Sequence, residues 1–158
     1  MPRWGEYETV RELATVGMGT IWTARRVPPG SAEERYIIKA IEGLSVLADR
    51  SRAEREIGVF LEAARAQKDI AERGAVGVAR VHECGRTEDS AYFVGDLYPR
   101  SLATLIARGV GLSRWEVLHL AASVIDALRE IQRVGGRGHG QLKAGNVLIG
   151  GRDGPSIV

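Results

Sequence analysis

The sequence has only one cysteine, Cys84, so no internal disulfide can form. This usage favours a protein that folds in the reducing cytoplasm. A long apolar run is also missing, because the most apolar stretch, LHLAASVIDAL, is broken by Asp126 and is too short to span a bilayer. The first residues, MPRWGEYETV, lack the apolar core of a signal peptide. We expect a cytoplasmic protein with no membrane association.

Net charge is small as well. The 22 basic and 20 acidic residues leave a formal charge of +2, and the basic residues are scattered along the chain. Because proteins that bind nucleic acids usually present a basic patch, we expect no nucleic-acid partner. With 158 residues, the chain is long enough for one domain with a sizeable apolar core.

The pattern of apolar residues predicts an α+β fold. Strand-like segments number five, at 7–15, 20–26, 35–41, 78–84 and 91–97. Between the third and the fourth, apolar residues at helical spacing predict one long amphipathic helix from about Val46 to Arg73, which Gly74 ends. Turns rich in Gly and Pro link the first three strands, which favours an antiparallel meander.

After Tyr98-Pro99 the pattern becomes helical. Ser113 followed by Glu116 is a capping-box signature, which marks the start of a helix. A Gly-rich loop follows that helix. The elements predicted in this part are two helices and two short strands, at 101–108, 113–132, 147–149 and from 156.

Four segments resemble, in the same order, motifs of the eukaryotic-type Ser/Thr protein kinase superfamily. LATVGMGTIWTARR is similar to the Gly-rich loop and its two strands, and YIIK ends at the position of the phosphate-pairing lysine. AYFVGDLYPRSLATLIARG resembles the hinge and the helix after it. HGQLKAGNVLI resembles the catalytic loop, whose usual form is H-x-D-L-K-x-x-N.

The resemblance implies a protein-kinase-like fold in two parts. A small lobe at 1–97 would hold a five-stranded antiparallel sheet and one long helix. Residues 98–158 would form the first helices and the catalytic-loop hairpin of a large lobe. Kinases continue from there into an Asp-Phe-Gly metal motif, so the resemblance implies a truncated domain.

The resemblance also implies a site for ATP and Mg²⁺. The positions that it assigns to the nucleotide are Ala14, Val16, Gly19, Ile21, Ile37, Lys39, Glu56 and Asp96. Only the third loop glycine is kept, and a β-branched Val16 would crowd the phosphates; a plain β-hairpin is the alternative interpretation of this loop. Ile37 replaces the alanine that usually lies against the adenine ring in the family. Gly95 stands at the family's gatekeeper position, where the missing side chain would leave a pocket behind the adenine site open; the alternative is a loop glycine without such a role. We expect weak ATP and magnesium binding or none.

Lys39 needs a partner or solvent, because apolar residues flank it in its strand. The resemblance implies a glutamate of the long helix. Glu56 is the first choice, since Val59, Phe60 and Ala63 follow it at helical spacing on the expected core side. Glu62 is the rival, because Phe60-Leu61-Glu62 also resembles the helix of the family. Solvation of both carboxylates is the third possibility.

Gln141 stands where the resemblance places the catalytic aspartate. A neutral amide can orient a hydroxyl group but cannot accept its proton as a base. Lys143 and Asn146 keep the identities of the family, and Asn146 would ligate a metal if one bound. His139 is expected to be a structural histidine.

The sequence therefore favours a pseudokinase fragment that acts by interaction. An ATP-dependent Ser/Thr kinase whose remaining C-terminal lobe is absent from this chain, and an unrelated α+β binding module, stay open as alternatives. The helix at 113–132 carries more apolar residues than one short helix and the small lobe can cover: Val117, Leu120, Val124, Ile125, Leu128 and Ile131. We expect a protein partner or the rest of a kinase lobe to cover it, or the chain to self-associate.

Overall fold

The computed structural model describes residues 3–16, 19–27, 34–43, 50–136, 138–151 and 154–157. Its α+β architecture consists of helices and two antiparallel sheets, of six and three strands. In chain order the elements are β1 (Arg3–Trp4), β2 (Tyr7–Val16), β3 (Gly19–Arg26), β4 (Tyr36–Glu42), α1 (Arg50–Glu72), β5 (Val81–Arg86), β6 (Ser90–Asp96), β7 (Arg100–Ser101), α2 (Leu102–Ala107), α3 (Arg114–Gly135), a 3-10 turn (Ala144–Asn146), β8 (Val147–Gly151) and β9 (Gly154–Ile157). Two compact units result, residues 1–65 with 81–97 and residues 66–80 with 98–158.

The first sheet has six strands in the order β1-β2-β3-β4-β6-β5, and the expected count of five was wrong. The additional strand, β1, has two residues and pairs Trp4 with Tyr7. Gly5 makes the turn between them at φ +56°, a conformation that glycine adopts without strain. A strand this short shows no alternation in the sequence, and its place is set by the buried Trp4 ring, 5.0 Å from the ring of Tyr92.

The fifth strand of the chain begins later than expected. The segment 78–84 was predicted to be a strand, whereas β5 starts at Val81. Just before it, the backbone oxygen of Ala79 accepts a hydrogen bond from Gln67 Nε2 at 2.7 Å. This carbonyl therefore bonds to a helix side chain, which keeps the segment before Val81 out of the strand.

The two faces of the first sheet carry separate apolar clusters, because successive strand residues point to opposite faces. Ile41 packs with Ala91, and with Ile57 and Leu61 of α1. The other face holds Ile38 and Ala40 among Trp4, Tyr7, Ala24, Tyr92 and Val94. Full burial of one such large side chain contributes about 1.5–3 kcal/mol, so both clusters hold the sheet and the first part of α1 together.

The buried face of α1 differs from the one expected around Glu56. Its buried residues are Ala53, Ile57, Leu61 and Ala64. Val59 and Ala63 are exposed, Val59 to 68%, so their expected place on the core side was wrong. With about 100° of rotation per residue, Val59 lies some 200° around the helix from Ile57. The expected start of the helix near Val46 falls outside the described residues.

In the second unit, the helix ends follow the capping rules read from the sequence. Ser113 and Glu116 form the expected capping box at the start of α3. The short helix α2 is terminated by Gly109, the residue after its C-cap Arg108, at φ +63°. The Val110 N–H bonds to the Leu105 carbonyl, as in a Schellman motif. Helix α3 runs to Gly135 and contacts β9 of the three-stranded sheet β7-β8-β9.

Candidate functional site

Lys39 lies in the middle of β4 on the face that carries α1. It pairs across the sheet with Ile21 of β3 and with Phe93 of β6. Its Nζ atom stands 5.8 Å from the centroid of the Phe60 ring, which α1 supplies. The rings of Phe60 and Phe93 are 5.5 Å apart. The ammonium group is therefore next to the Phe60 ring, which in turn lies beside the Phe93 ring, an environment that the sequence pattern did not indicate.

An ion pair attaches the beginning of α1 to the edge strand β5. Arg86 donates two hydrogen bonds to Glu54, at 2.6 and 2.7 Å, in the bidentate geometry that orients both planar groups. These hydrogen bonds lower the pKa of the Glu54 carboxyl below its ordinary value. Both groups are exposed at the surface, so the pair orients the helix more than it stabilises the fold.

The two glutamates considered as partners of Lys39 have different surroundings. Glu56 Oε1 accepts a hydrogen bond from Arg52 Nε, one helical turn earlier, at 3.0 Å. Glu62 is exposed. The pairing of Lys39 with either carboxylate stays a prediction.

The hairpin at the Gly-rich segment pairs Val16 with Gly19 and Ala14 with Ile21. The side chain of Val16 and the tip, Gly17-Met18, lie outside the described residues. A Cβ atom at Gly19 would stand 3.0 Å from the backbone oxygen of Ala40. This close approach to β4 is by itself a reason for glycine here, with or without a phosphate.

Ile37 and Asp96 lie in the strands predicted for them, Ile37 in β4 and Asp96 at the end of β6. Ile37 pairs directly with Gly95, so the two residues share a face and only Ile37 contributes a side chain there. Asp96 Oδ1 accepts a hydrogen bond from His82 Nε2 at 2.7 Å. The Tyr36 ring meets the His82 ring edge-on at 5.2 Å. His82 could not be singled out from the sequence, because only the pairing of β5 with β6 brings it to Asp96.

In the second unit, hydrogen bonds give the loop around Gln141 a defined shape. The Gln141 N–H donates to His139 Nδ1 at 3.2 Å, and Asn146 Nδ2 donates to the Gln141 backbone oxygen at 3.0 Å. The 3-10 turn is closed by a bond from the Asn146 N–H to the Lys143 carbonyl at 2.9 Å. The side chains of Gln141 and Lys143 are exposed. The loop therefore brings Gln141, His139 and Asn146 together and leaves Lys143 directed to the surface.

Among the described residues, no three His, Cys, Asp or Glu side chains gather in a way that could hold a metal ion. The same residues include no helix with the length and apolar character needed to cross a bilayer. Asn146 as a metal ligand stays a prediction.

Helix α3 carries apolar residues on two sides. Ala127 and Ile131 are buried, so Ile131 belongs to the covered part of the expected stripe at 113–132. Val117 and Ile125 of that stripe are 49% and 48% exposed. Trp115 and Leu118, which the stripe did not include, are 79% and 49% exposed. The spacing of the exposed set, Trp115, Leu118, Ala122 and Ile125, is that of a helix–helix seam.

Comparison with protein-family models finds none that matches this chain, and comparison with curated proteins finds no match either.

Proposed function

We propose that this chain is a protein-kinase-like domain that does not transfer phosphate, binds nucleotide weakly or not at all, and acts by interaction with another protein. The observation that carries the proposal is the loop at Gln141. Its three hydrogen-bonded residues, His139, Gln141 and Asn146, are those that the resemblance to the catalytic loop selected. An amide replaces the carboxylate that would serve as base, and a neutral amide cannot take a proton from a hydroxyl group.

The surroundings of Lys39 also support the proposal. A long helix between the third and fourth strands of the small lobe is what the resemblance implies, and α1 packs on the sheet face that carries Lys39. Phosphoryl transfer depends on positioning and on neutralising charge. A strand lysine beside a long helix is one of the positioning features that the resemblance implies, which supports the kinase-like part of the proposal.

Interaction with a protein is supported by the surface of α3. Monomeric proteins rarely leave large apolar side chains exposed in a row. The side chain of Trp115 is 79% exposed, and Leu118, on the same side of the helix, is 49% exposed. Aromatic residues of this kind are enriched at protein interfaces.

Calorimetric titration with ATP, with and without magnesium, tests the nucleotide part of the proposal. We expect a dissociation constant above the micromolar range that magnesium does not lower. The reasons are that Ile37 would occupy part of the space for the adenine ring and that Ala14 replaces a loop glycine. Lys39→Ala is the control that shows whether any binding involves this lysine. Micromolar or tighter binding that requires magnesium would contradict the proposal.

The alternative is an active ATP-dependent Ser/Thr kinase. The retained Lys39, Lys143 and Asn146 favour it, because Asn146 is held by Gln141 with its side-chain oxygen not used in that bond. Positioning alone can support residual transfer. Transfer of labelled phosphate to a protein substrate separates the two functions.

A further inference from the structure

Helix α3 presents an apolar face opposite the face that it buries. Its buried residues are Ala127 and Ile131, whereas Trp115, Leu118 and Ile125 are exposed. With about 100° of rotation per residue, each of these exposed residues lies roughly 120–180° around the helix from each buried one. Helix α3 therefore buries one face and presents the opposite face, the seam, at the surface.

The seam ends in a cation. Its apolar members are spaced by three and four residues, and one more interval of four leads from Ile125 to Arg129. The Arg129 side chain is 76% exposed. The row therefore carries the indole ring of Trp115 at one end, a guanidinium group at the other end, and the small side chain of Ala122 in the middle.

A second copy of the same row fits this one when the two helices run in opposite directions. If Ala122 of one chain lies beside Ala122 of the other, Leu118 of each chain meets Ile125 of the other, because these residues stand four before and three after Ala122. Trp115 meets Arg129, since both are seven residues from Ala122. A guanidinium group over an indole ring is a favourable cation–π contact, and the small alanines let the helices approach closely.

Charge favours this antiparallel arrangement over a parallel one. A parallel pair in register would place Arg129 against Arg129, and like charges across a seam oppose pairing. Antiparallel pairing also brings the exposed His119 of one chain near the exposed Asp126 of the other, on the same side of the seam. Because one helix carries both members of each pair, a second copy satisfies all of these contacts at once, as a twofold interface requires.

We propose that two copies of this chain pair through α3, antiparallel, about a twofold axis at Ala122. The proposal rests on the part of the proposed function that assigns interaction to α3, and it names the partner as a second copy. From Trp115 to Arg129 the seam is about 21 Å long. An interface of this size gives a reversible dimer and not a permanent one.

The first test is disulfide cross-linking. Cys84 is the only cysteine of the chain, so Cys84→Ser, or Cys84→Ala if that variant does not fold, gives a background without thiols. In this background Ala122→Cys brings two thiols together at the axis, and mild oxidation yields a covalent dimer. Gln132→Cys, at another exposed position of α3, is the matched control, because its two copies lie about 30 Å apart along the helices.

The cross-linking pattern separates the possible occupants of the seam. A linked dimer for Ala122→Cys and none for Gln132→Cys supports the proposal. Links in both variants would indicate a parallel pair, and a link in neither would leave the seam to a different protein. Either of these two results overturns the proposal. The transfer of labelled phosphate tests the proposed function separately.

The second test measures the dimer dissociation constant by analytical ultracentrifugation. Arg129→Gln removes two cation–π contacts per dimer and raises the constant about five- to thirtyfold, whereas Arg129→Lys keeps the cation and most of the affinity. Arg133→Gln, which removes an exposed arginine beyond the paired length, leaves the constant unchanged. Equal effects of Arg129→Gln and Arg133→Gln, or a monomer at every concentration, would overturn the proposal.

Discussion

Tyr92 Oη donates a hydrogen bond to Glu83 Oε1 at 2.6 Å, between the two neighbouring strands β6 and β5. Burial raises the pKa of the Tyr92 phenol, and the hydrogen bond to Glu83 raises it further. The unfolded chain loses this proton near pH 10, whereas the folded protein still holds it. The stability that Tyr92 contributes is therefore fully present below about pH 10 and is lost as the pH rises above that value.

We expect the free energy of unfolding to fall as the pH rises above about 10, the phenol's ordinary pKa, and to fall less steeply in Tyr92→Phe. At neutral pH the same substitution costs about 0.5–1.5 kcal/mol, the net value of a hydrogen bond. Urea unfolding of both proteins, from neutral pH to above pH 10, measures both effects. Identical pH slopes for the two proteins would show that Tyr92 ionises normally in the folded state.

Ile57→Ala tests the face of α1 that packs on the sheet. The Ile57 side chain is 1% exposed, and truncating such a side chain costs about 2–5 kcal/mol through lost burial and the cavity left behind. Val59→Ala, two residues away and largely exposed, is the matched control and changes the free energy of unfolding by about 0.5 kcal/mol at most. Equal losses in the two variants would mean that α1 is rotated from the orientation described above.

The capping box at the start of α3 predicts a stability effect at Ser113. The Ser113 hydroxyl accepts from the Glu116 N–H, and Glu116 in turn accepts from the Ser113 N–H. Ser113→Ala is expected to destabilise the protein by about 1 kcal/mol. Ser113→Asp, which can also cap, should restore most of the loss. Thermal unfolding of the three proteins gives the comparison, and an unchanged melting temperature in Ser113→Ala would contradict a stabilising cap.

The exposed residues of α3 predict self-association of the chain when no partner is present. Trp115→Ser combined with Leu118→Ser should lower the average mass in light scattering, because the seam loses its two largest exposed side chains at one end. Gln132→Ser, on an exposed position of the same helix, is the control. A monomer at tens of micromolar before any substitution would contradict this prediction.

Local rules explain which elements could be read from the sequence. The strands β2, β3, β4 and β6 have seven or more residues each and are rich in β-branched and aromatic side chains, and their predicted and observed bounds agree closely. The Ser113 cap needs only residues within one turn, so it was also predictable. By contrast, β1 and β7 have two residues each. The start of β5 at Val81 follows a hydrogen bond from Gln67 to the Ala79 carbonyl. These depend on contacts between distant parts of the chain.

The candidate site was less predictable than the strands, for the same reason. Nothing in the sequence distinguishes Phe60 and Phe93 from the other apolar residues of their helix and strand. The position of Phe60 beside Lys39 follows from the rotation of α1, and that of Phe93 across from Lys39 follows from strand register. His82 meets Asp96 only because β5 and β6 are neighbours. Gln141, His139 and Asn146 lie within eight residues, so their association could be anticipated from the motif alone.

Labelled ATP gives the sharpest test of the proposal that the chain does not transfer phosphate. The unmodified chain and Lys39→Ala are incubated with γ-labelled ATP, magnesium and a general Ser/Thr protein substrate, and incorporation of label is counted. We predict the same background incorporation for both, because Gln141 cannot act as the base. Incorporation by the unmodified chain that disappears in Lys39→Ala would contradict the account and favour an active kinase.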